Sequence, residues 1–254
     1  MRCLIQIVTR YIPRHWMQLF ALKLLWILSF FYRGNRFIDP IDGTRYRKLL
    51  PYGRNESRKN ALAPSSGSLE RHRVIWLFLQ TETNFFTQPI KFLHIAPEYC
   101  FLKPFKKLKH IEYLTGDLNS PWADIKLDIR NMPFENETFD AAMCNHVFEH
   151  IDNDIQAMKE FYRILKPGGW AIFQVPIHWD QKTIEDPTIT SPKERERLFG
   201  QRDHVRYYGY DYIERLQTAG FHVDVIDYAQ KIGHEKTQLY ALLPTEKIIF
   251  CRKI

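Results

Sequence analysis

Residues 89–101 read PIKFLHIAPEYCF, an apolar run that stops abruptly in a small-residue turn. Ile90, Phe92, Leu93 and Ile95 are mostly β-branched or aromatic and carry no breaker among them, the pattern of a strand buried on both faces of a parallel sheet. Ala96-Pro97-Glu98 then turns the chain into a predicted helix through Leu108. A helix that starts at the carboxyl end of a central strand is a ready ligand site, because its first backbone N–H groups have no partner within the helix.

Downstream, the same unit repeats. His110 to Asp117, HIEYLTGD, predicts a second strand ending in an acid, and in nucleotide-binding α/β folds an acid at that place accepts ribose hydroxyls. Ala123 to Leu127 predicts a short third strand, and Phe139 to Val147, FDAAMCNHV, a fourth that runs into Phe148-Glu149-His150. Asp152 is expected to cap a helix carrying Ile155, Met158, Tyr162 and Leu165 at helical spacing, which Lys166-Pro167-Gly168-Gly169 ends before a fifth strand, Trp170 to Val175. Upstream, SLERHRVIWLFLQ from Ser68 predicts a serine-capped helix that covers the sheet.

The 254 residues suit one domain of ordinary size plus an appendage, and 45% hydrophobic residues allow a real core. Residues 1–60 hold 12 Lys/Arg against 3 Asp/Glu, so the net charge of +7 belongs to the N-terminal arm. Cys3, Cys100, Cys144 and Cys251 show no paired spacing, which argues against a disulfide framework and for a reducing cytoplasm. Within the arm, residues 1–36, Trp16 to Tyr32 form an apolar run holding Lys23 and flanked by Arg10, Arg14, Arg33 and Arg36. Seventeen residues make a helix of about 25 Å, short of the roughly 30 Å hydrocarbon core. Three readings stay open: a helix lying peripherally on an anionic membrane surface, a helix packed on the protein or a second copy, and a span or signal anchor. No small-residue cleavage site favours secretion.

Residues 37–67 carry two x-P-x-x-G turns, Asp39-Pro40-Ile41-Asp42-Gly43 and Ala63-Pro64-Ser65-Ser66-Gly67. Both have the form of zinc knuckles without the cysteines, so the segment resembles a degenerate zinc ribbon and no zinc is expected; two ordinary Pro/Gly turns around a hairpin explain it equally.

The runs IKFLHIAPE, TGDL, LDIRNMPFENETFDAAMCNHVFEHI and FYRILKPGGWAIFQVP together resemble a class I S-adenosylmethionine-dependent methyltransferase over roughly residues 90–254, the middle run followed by LKPGG being the specific part. The resemblance implies an α/β Rossmann-like fold with a seven-stranded, mostly parallel sheet ending in an antiparallel hairpin, Phe221 to Tyr228 with Lys247 to Lys253. A small N-terminal helical and ribbon appendage precedes residues 68–254. It implies S-adenosylmethionine as cofactor, with His94, Ala96 and Glu98 at the first-strand loop, Asp117 on the ribose, Asp128 and Ile129 at the adenine, and Asn145 and His146 beneath the methionine. The family's first loop is an acid followed by glycines, whereas this chain has His94-Ile95-Ala96-Pro97-Glu98. Glu98 is then the candidate for the methionine ammonium.

Methyl transfer requires alignment and water exclusion more than many catalytic groups. The insertion after the fifth strand, residues 176–208, is rich in His, Asp, Glu and Arg and lies where open α/β sheets bind ligands, which predicts an acceptor lid. Its proton acceptor is expected at His204, with Asp203 and Arg206 beside it and His178 as the rival. His146, Glu149 and His150 follow the fourth strand closely enough to form a metal or acid/base cluster, but only His146 and His150 share i,i+4 spacing, and the expectation is no metal, with His150 a packing residue. The leading reading is methyl transfer to an unidentified small molecule, glycan or lipid-linked acceptor. A cofactor-binding pseudoenzyme is the second, and RNA methylation the third; the aromatic-basic alternation of a nucleic-acid surface is weak.

Overall fold

In the computed structural model, which describes residues 14–53 and 57–254, the chain folds as two compact units. One holds the chain up to Phe86 with Glu98–Pro104 and Asp227–Glu246; the other holds Thr87–Pro97, Phe105–Ile226 and Lys247–Ile254. The elements begin with α1 (Arg14–Tyr32), β1 (Arg33–Ile38), β2 (Arg45–Tyr46), β3 (Leu50–Tyr52), β4 (Arg58–Leu62) and α2 (Glu70–Glu82). There follow β5 (Ile90–Ile95), α3 (Tyr99–Lys106), β6 (Ile111–Asp117), β7 (Ile125–Lys126), β8 (Phe139–Cys144), a 3-10 turn (Phe148–His150), α4 (Asp154–Ile164) and β9 (Leu165–Ile172). The chain ends through β10 (Ile177–His178), β11 (Ile184–Glu185), α5 (Pro192–Phe199), β12 (Arg206–Gly209), α6 (Tyr212–Thr218), β13 (His222–Ile226), α7 (Tyr228–Ile232), α8 (His234–Leu239) and β14 (Ile248–Arg252).

In the first unit the two x-P-x-x-G turns lie side by side. Gly43 (φ +73°) and Gly67 (φ +76°) sit in the left-handed region that such turns require. Hydroxyl-to-carboxylate bonds join the turns: Ser65 donates to Asp42, Ser66 to Asp39, and Ser68 to Asp39 at 3.0 Å. Ser68 is therefore spent on Asp39 and does not cap α2; the Leu69 amide at that helix start donates to His72 Nδ1 at 3.1 Å instead. Arg73, wholly buried, donates to the carbonyls of Ala61, Ser68, Tyr240 and Ala241. A buried guanidinium is tolerable only with its donors paired in this way. Helix α1 leaves Phe20, Leu24, Trp26, Ile27, Phe30 and Phe31 exposed, and no described helix is long and apolar enough to cross a membrane.

The second unit is built on a seven-stranded sheet of order β13-β14-β9-β8-β5-β6-β7. The apolar run around Ile90 is its central strand, parallel to β6 on one side and to β8 on the other, and buried at every position but Lys91. Only the β13–β14 and β14–β9 pairs are antiparallel, as the resemblance implied. Leu93, Ile95, Phe139, Phe148, Phe161, Phe173 and Tyr212 belong to one continuous core. Two local expectations shift. The cap of α4 is Asn153, whose side-chain Oδ1 accepts the Gln156 amide at 3.1 Å, and β9 begins at Leu165 because the Lys166–Gly169 turn is carried inside the strand as a bulge. The lid is no plain loop either: β10 pairs parallel to β12, and β11 pairs antiparallel to its other edge. Gly209 makes this close crossing feasible, since a Cβ there would lie 2.1 Å from the Gln181 carbonyl oxygen.

Candidate functional site

From β5 the chain goes to β6 and β7 on one side of the sheet and then returns to lay β8 and β9 on the other. The strand order therefore reverses between β5 and β8, whose carboxyl-end residues Ile95 and Cys144 are paired. A crevice outside such strand ends is where open α/β sheets take their ligands, because the flanking loops diverge there. Ala96 and His146, just past those two ends, both adopt left-handed backbone conformations, φ +49° and +55°. For residues with a Cβ this conformation costs about 1–2 kcal/mol. Each is held by a backbone bond, Ala96 N–H to the Gly116 carbonyl at 2.9 Å and His146 N–H to the Gln174 carbonyl at 2.7 Å. Gln174 is in turn anchored at both ends of its side chain, donating to the Lys247 carbonyl and accepting from the Ile249 amide. Non-glycine residues in strained conformations, over-determined by neighbours, mark sites where the backbone path matters more than its energy.

Asp117 ends β6 beside these two turns. Its Oδ1 accepts the amides of Asn119 (2.6 Å) and Ser120 (2.5 Å), while Oδ2 has no protein partner among the described residues. A cavity of about 270 Å³ opens here, lined by Asp117, Asn119, Ser120, Asp124 and Lys126 among others. Asn145 is buried, with Oδ1 3.4 Å from the Gln174 amide. His146 has Nδ1 3.4 Å from Glu149 Oε1, and its Nε2 is buried without a partner among the described residues. The structure thus assembles Ala96, Asp117, Asn145 and His146 on the carboxyl ends of adjacent strands.

The other residues named from sequence are placed differently. His94 is fully buried, with Nδ1 2.8 Å from the Tyr113 hydroxyl and its ring among Phe92, Phe105 and Tyr113, so its side chain presents no surface to a ligand. Ile129 is a core residue, leaving only its backbone to offer. Asp128 is gripped by Arg130, whose Nη2 lies 2.7 Å from Oδ2. That bond holds the Asp128 carboxyl below its ordinary pKa, and an adenine amino group would share the same oxygens. Glu98 lies in the first unit, where its carbonyl accepts the Phe101 amide.

On the lid, His178 is exposed, its ring 4.0 Å from that of Tyr207 and Nδ1 3.9 Å from Asp180. His204 is buried, and its Nδ1 lies 2.9 Å from the Phe199 carbonyl; burial lowers its pKa below the ordinary histidine value. The Asp203 carboxylate is 3.5 Å from His150 Nδ1. Arg206 turns away from His204: it donates to Glu185 Oε2 at 2.8 Å and to the carbonyls of Phe148, Ile151 and Asp152. Arg215 adds bonds to Glu185 and Asp154, holding the Glu185 carboxyl below its usual pKa against the opposing effect of burial. Asp211 at the start of α6 accepts from the Thr183 amide and hydroxyl at 2.7 Å, fastening the lid rather than capping the helix. A cavity of about 620 Å³ on the lid is lined by Asp152, Glu185, Asp186, Thr190, Arg195 and Arg206 among others. The first unit has its own cavity of about 670 Å³, but its charged lining is partly self-satisfied by the Arg58–Glu70 pair and it holds none of the strand-end residues.

Gln174 escaped the sequence reading. Gln174 left one signal, a single amide in the apolar run AIFQVP, where a buried polar group needs a reason.

Residues 105–173, from the end of α3 through β9, match the methyltransferase domain family. Over that stretch the chain is similar to methyltransferase domains. Relatives include an uncharacterized 37.1 kDa protein in a transposon of Streptomyces fradiae, 35% identical over 72 residues, which are 28% of this chain and 21% of that protein. Another is the 2-methyl-6-phytyl-1,4-hydroquinone methyltransferase 1 of rice chloroplasts, 30% identical over 100 residues, or 38% of this chain and 26% of that protein. The chain thus spans about a quarter or less of these relatives' lengths. A solved methyltransferase from Thermotoga maritima, titled a possible histamine N-methyltransferase, is 19% identical with a TM-score of 0.46, covering 73% of this chain and 88% of that one. The strand order and register are those of a Rossmann-like α/β sheet with antiparallel final strands.

The strand ends fit S-adenosylmethionine on three counts: the left-handed path at Ala96, the unshared Asp117 Oδ2, and the orphaned His146 Nε2. Alanine at position 96 follows the backbone route a glycine would take.

Proposed function

We propose that the methyltransferase domain transfers a methyl group from S-adenosylmethionine to a hydroxyl-bearing acceptor of the glycan or lipid-linked class. The observation that carries this reading is the pair of left-handed residues, Ala96 and His146, facing the β5–β8 switch beside the free Asp117 oxygen. When bound, the sulfonium supplies a methyl group already activated toward a nucleophile. Asp117 Oδ2 accepts from the ribose diol, and the Asn145–His146 turn, fixed by Gln174, forms the floor under the methionine portion. The lid cavity of about 620 Å³, with carboxylates and arginines in its lining, suits an acceptor with several hydroxyls better than a plain hydrocarbon. His178 is the exposed lid imidazole, free to take the acceptor proton, whereas His204 spends one nitrogen on a carbonyl and is buried.

The test is to incubate the purified chain and radiolabelled S-adenosylmethionine with soluble glycans and with extracted polyprenyl- and lipid-linked saccharides, following label into each fraction. Label in the saccharide-bearing fractions, reduced by roughly 10²- to 10⁴-fold in His178→Ala with cofactor affinity unchanged, is the expected result. Failure to bind S-adenosylmethionine at millimolar concentration ends the transfer reading and leaves an interaction subunit.

A further inference from the structure

Two segments distant in sequence meet just past β8. The 3-10 turn Phe148–His150 follows that strand, and the lid returns over it at residues 203–206. Val205 donates its amide to the Glu149 carbonyl at 2.9 Å, and Arg206 binds the carbonyls of Phe148 at 3.0 Å and Asp152 at 2.8 Å. Backbone bonds therefore fix the approach. A carboxylate oxygen of Glu149 and one nitrogen from each of His150 and His204 end up within 4.8 Å of one another. Glu149 and His204 are 2% and 3% exposed, yet Glu149 Oε2 and His204 Nε2 have no hydrogen-bond partner among the described residues. Buried polar atoms left unpaired lose their hydration without return, so a pair of them aimed into one spot needs an occupant.

The tautomers suit a cation. A carbonyl only accepts, so the proton of His204 resides on Nδ1, 2.9 Å from the Phe199 oxygen, and Nε2 presents a lone pair. Nδ1 of His150 is likewise turned to a carbonyl, that of Asp203 at 3.2 Å. Metal-bound histidines almost always donate their second nitrogen to such an outer partner, which sets the ring and the tautomer. The two rings stand edge to face, centroids 4.8 Å apart. We infer that Glu149, His150 and His204 bind one divalent transition-metal cation with the donor preferences of zinc, leaving a fourth position for water or a ligand oxygen. Two imidazoles and a carboxylate are a donor set for Zn²⁺ and its neighbours rather than for Mg²⁺ or Ca²⁺. Ligand atoms on a tetrahedral zinc lie about 3.4 Å apart, so the widest pair closes by at most about 1.4 Å. The half-exposed His150 side chain has room to supply that movement. The ion clamps the lid, through His204, onto the turn whose Glu149 Oε1 stands 3.4 Å from His146. The sequence grouped His146, Glu149 and His150 and led to no expected metal; the fold brings the lid histidine His204, rather than His146, to Glu149 and His150.

The site does not depend on the methyl-transfer reading, and its test measures metal alone. The full chain, stripped with a chelator, is titrated calorimetrically with Zn²⁺ and, separately, with Co²⁺ while the visible ligand-field bands are recorded. One equivalent should bind with four-coordinate cobalt bands. His150→Gln and Glu149→Gln should each weaken binding by more than about tenfold, while the exposed His222→Gln changes nothing. His150 is partly exposed, so His150→Gln decides the matter even where a change at Glu149 impairs folding. Absence of saturable binding by the unaltered chain, or equal affinity in His150→Gln, overturns the site.

Discussion

Replacing Asp117 by asparagine and by alanine separates two roles that share one carboxylate. Oδ1 accepts the Asn119 and Ser120 amides and shapes the turn after β6, while Oδ2 is the oxygen proposed to accept from the ribose diol. Asparagine keeps a carbonyl oxygen for the two amides and puts a neutral NH2 group in place of the charged acceptor, able only to donate to a ribose oxygen. A hydrogen bond to a charged group contributes about 1.5–3 kcal/mol and a neutral one about 0.5–1.5. Asp117→Asn should therefore weaken S-adenosylmethionine binding by about 1–2 kcal/mol, roughly 5- to 30-fold in Kd. Asp117→Ala removes the ligand bond outright and should cost about 1.5–3 kcal/mol, roughly 10- to 150-fold. It should also lower the melting temperature, because two turn amides lose their acceptor. Calorimetric titration with the cofactor gives Kd, and thermal unfolding of the cofactor-free chain gives the turn contribution. The reasoning is refuted if both variants bind within twofold of the unaltered chain, or if Asn keeps both affinity and stability while Ala loses both. The second pattern would mean that the carboxylate acts only through the turn.

Arg206→Met should destabilise the second unit by about 3–5 kcal/mol in urea unfolding, since it strips the Phe148, Ile151 and Asp152 carbonyls of their donor while Arg215 still serves Glu185 and Asp154; a loss under about 1 kcal/mol would show those carbonyls are hydrated. Glu160 has its pKa lowered from 4.5, first by the Arg163 bond and also by the Met132 amide, so its stabilisation is present above that value and disappears as pH falls through the lower folded pKa. Glu160→Gln should flatten the acid limb of the stability curve below about pH 4.5, and an unchanged slope there argues against the linkage. On α1, we propose that the exposed Phe20, Trp26 and Phe31 meet an anionic lipid surface together with the exposed Arg33, Arg36, Arg45 and Arg47. Replacing the three aromatic residues by serine should abolish co-sedimentation with phosphatidylserine-containing vesicles and leave the melting temperature within a degree or two, because exposed side chains contribute little to folding; retained co-sedimentation removes the lipid reading.

Much of the sheet was legible because its strands are continuous apolar runs between turn residues, and such runs report burial on both faces without reference to anything distant. Ile90–Ile95, Ile111–Asp117, Phe139–Cys144 and the β13–β14 hairpin fall close to where the pattern put them. The acid at the end of the second strand, Asp117, and the small residue at the first turn, Ala96, were legible for the same reason: both are tied by chain distance to a strand end. The lid was not. Strands of two residues carry no periodicity, and the contacts that order them, Arg206 with the 148–152 carbonyls and Asp211 with Thr183, join residues that no local pattern links. Side-chain direction was equally hidden: His94 reads as a loop ligand in sequence, yet strand alternation and the neighbouring Phe105 and Tyr113 bury it. The sequence by itself determined the strand order's raw material and the positions at strand ends, since both follow from local hydrophobicity and turn chemistry. Only the tertiary structure decided that Ala96 and His146 share a left-handed path across the β5–β8 switch, and that Glu149, His150 and His204 meet, because convergence of that kind is set by which segments cross.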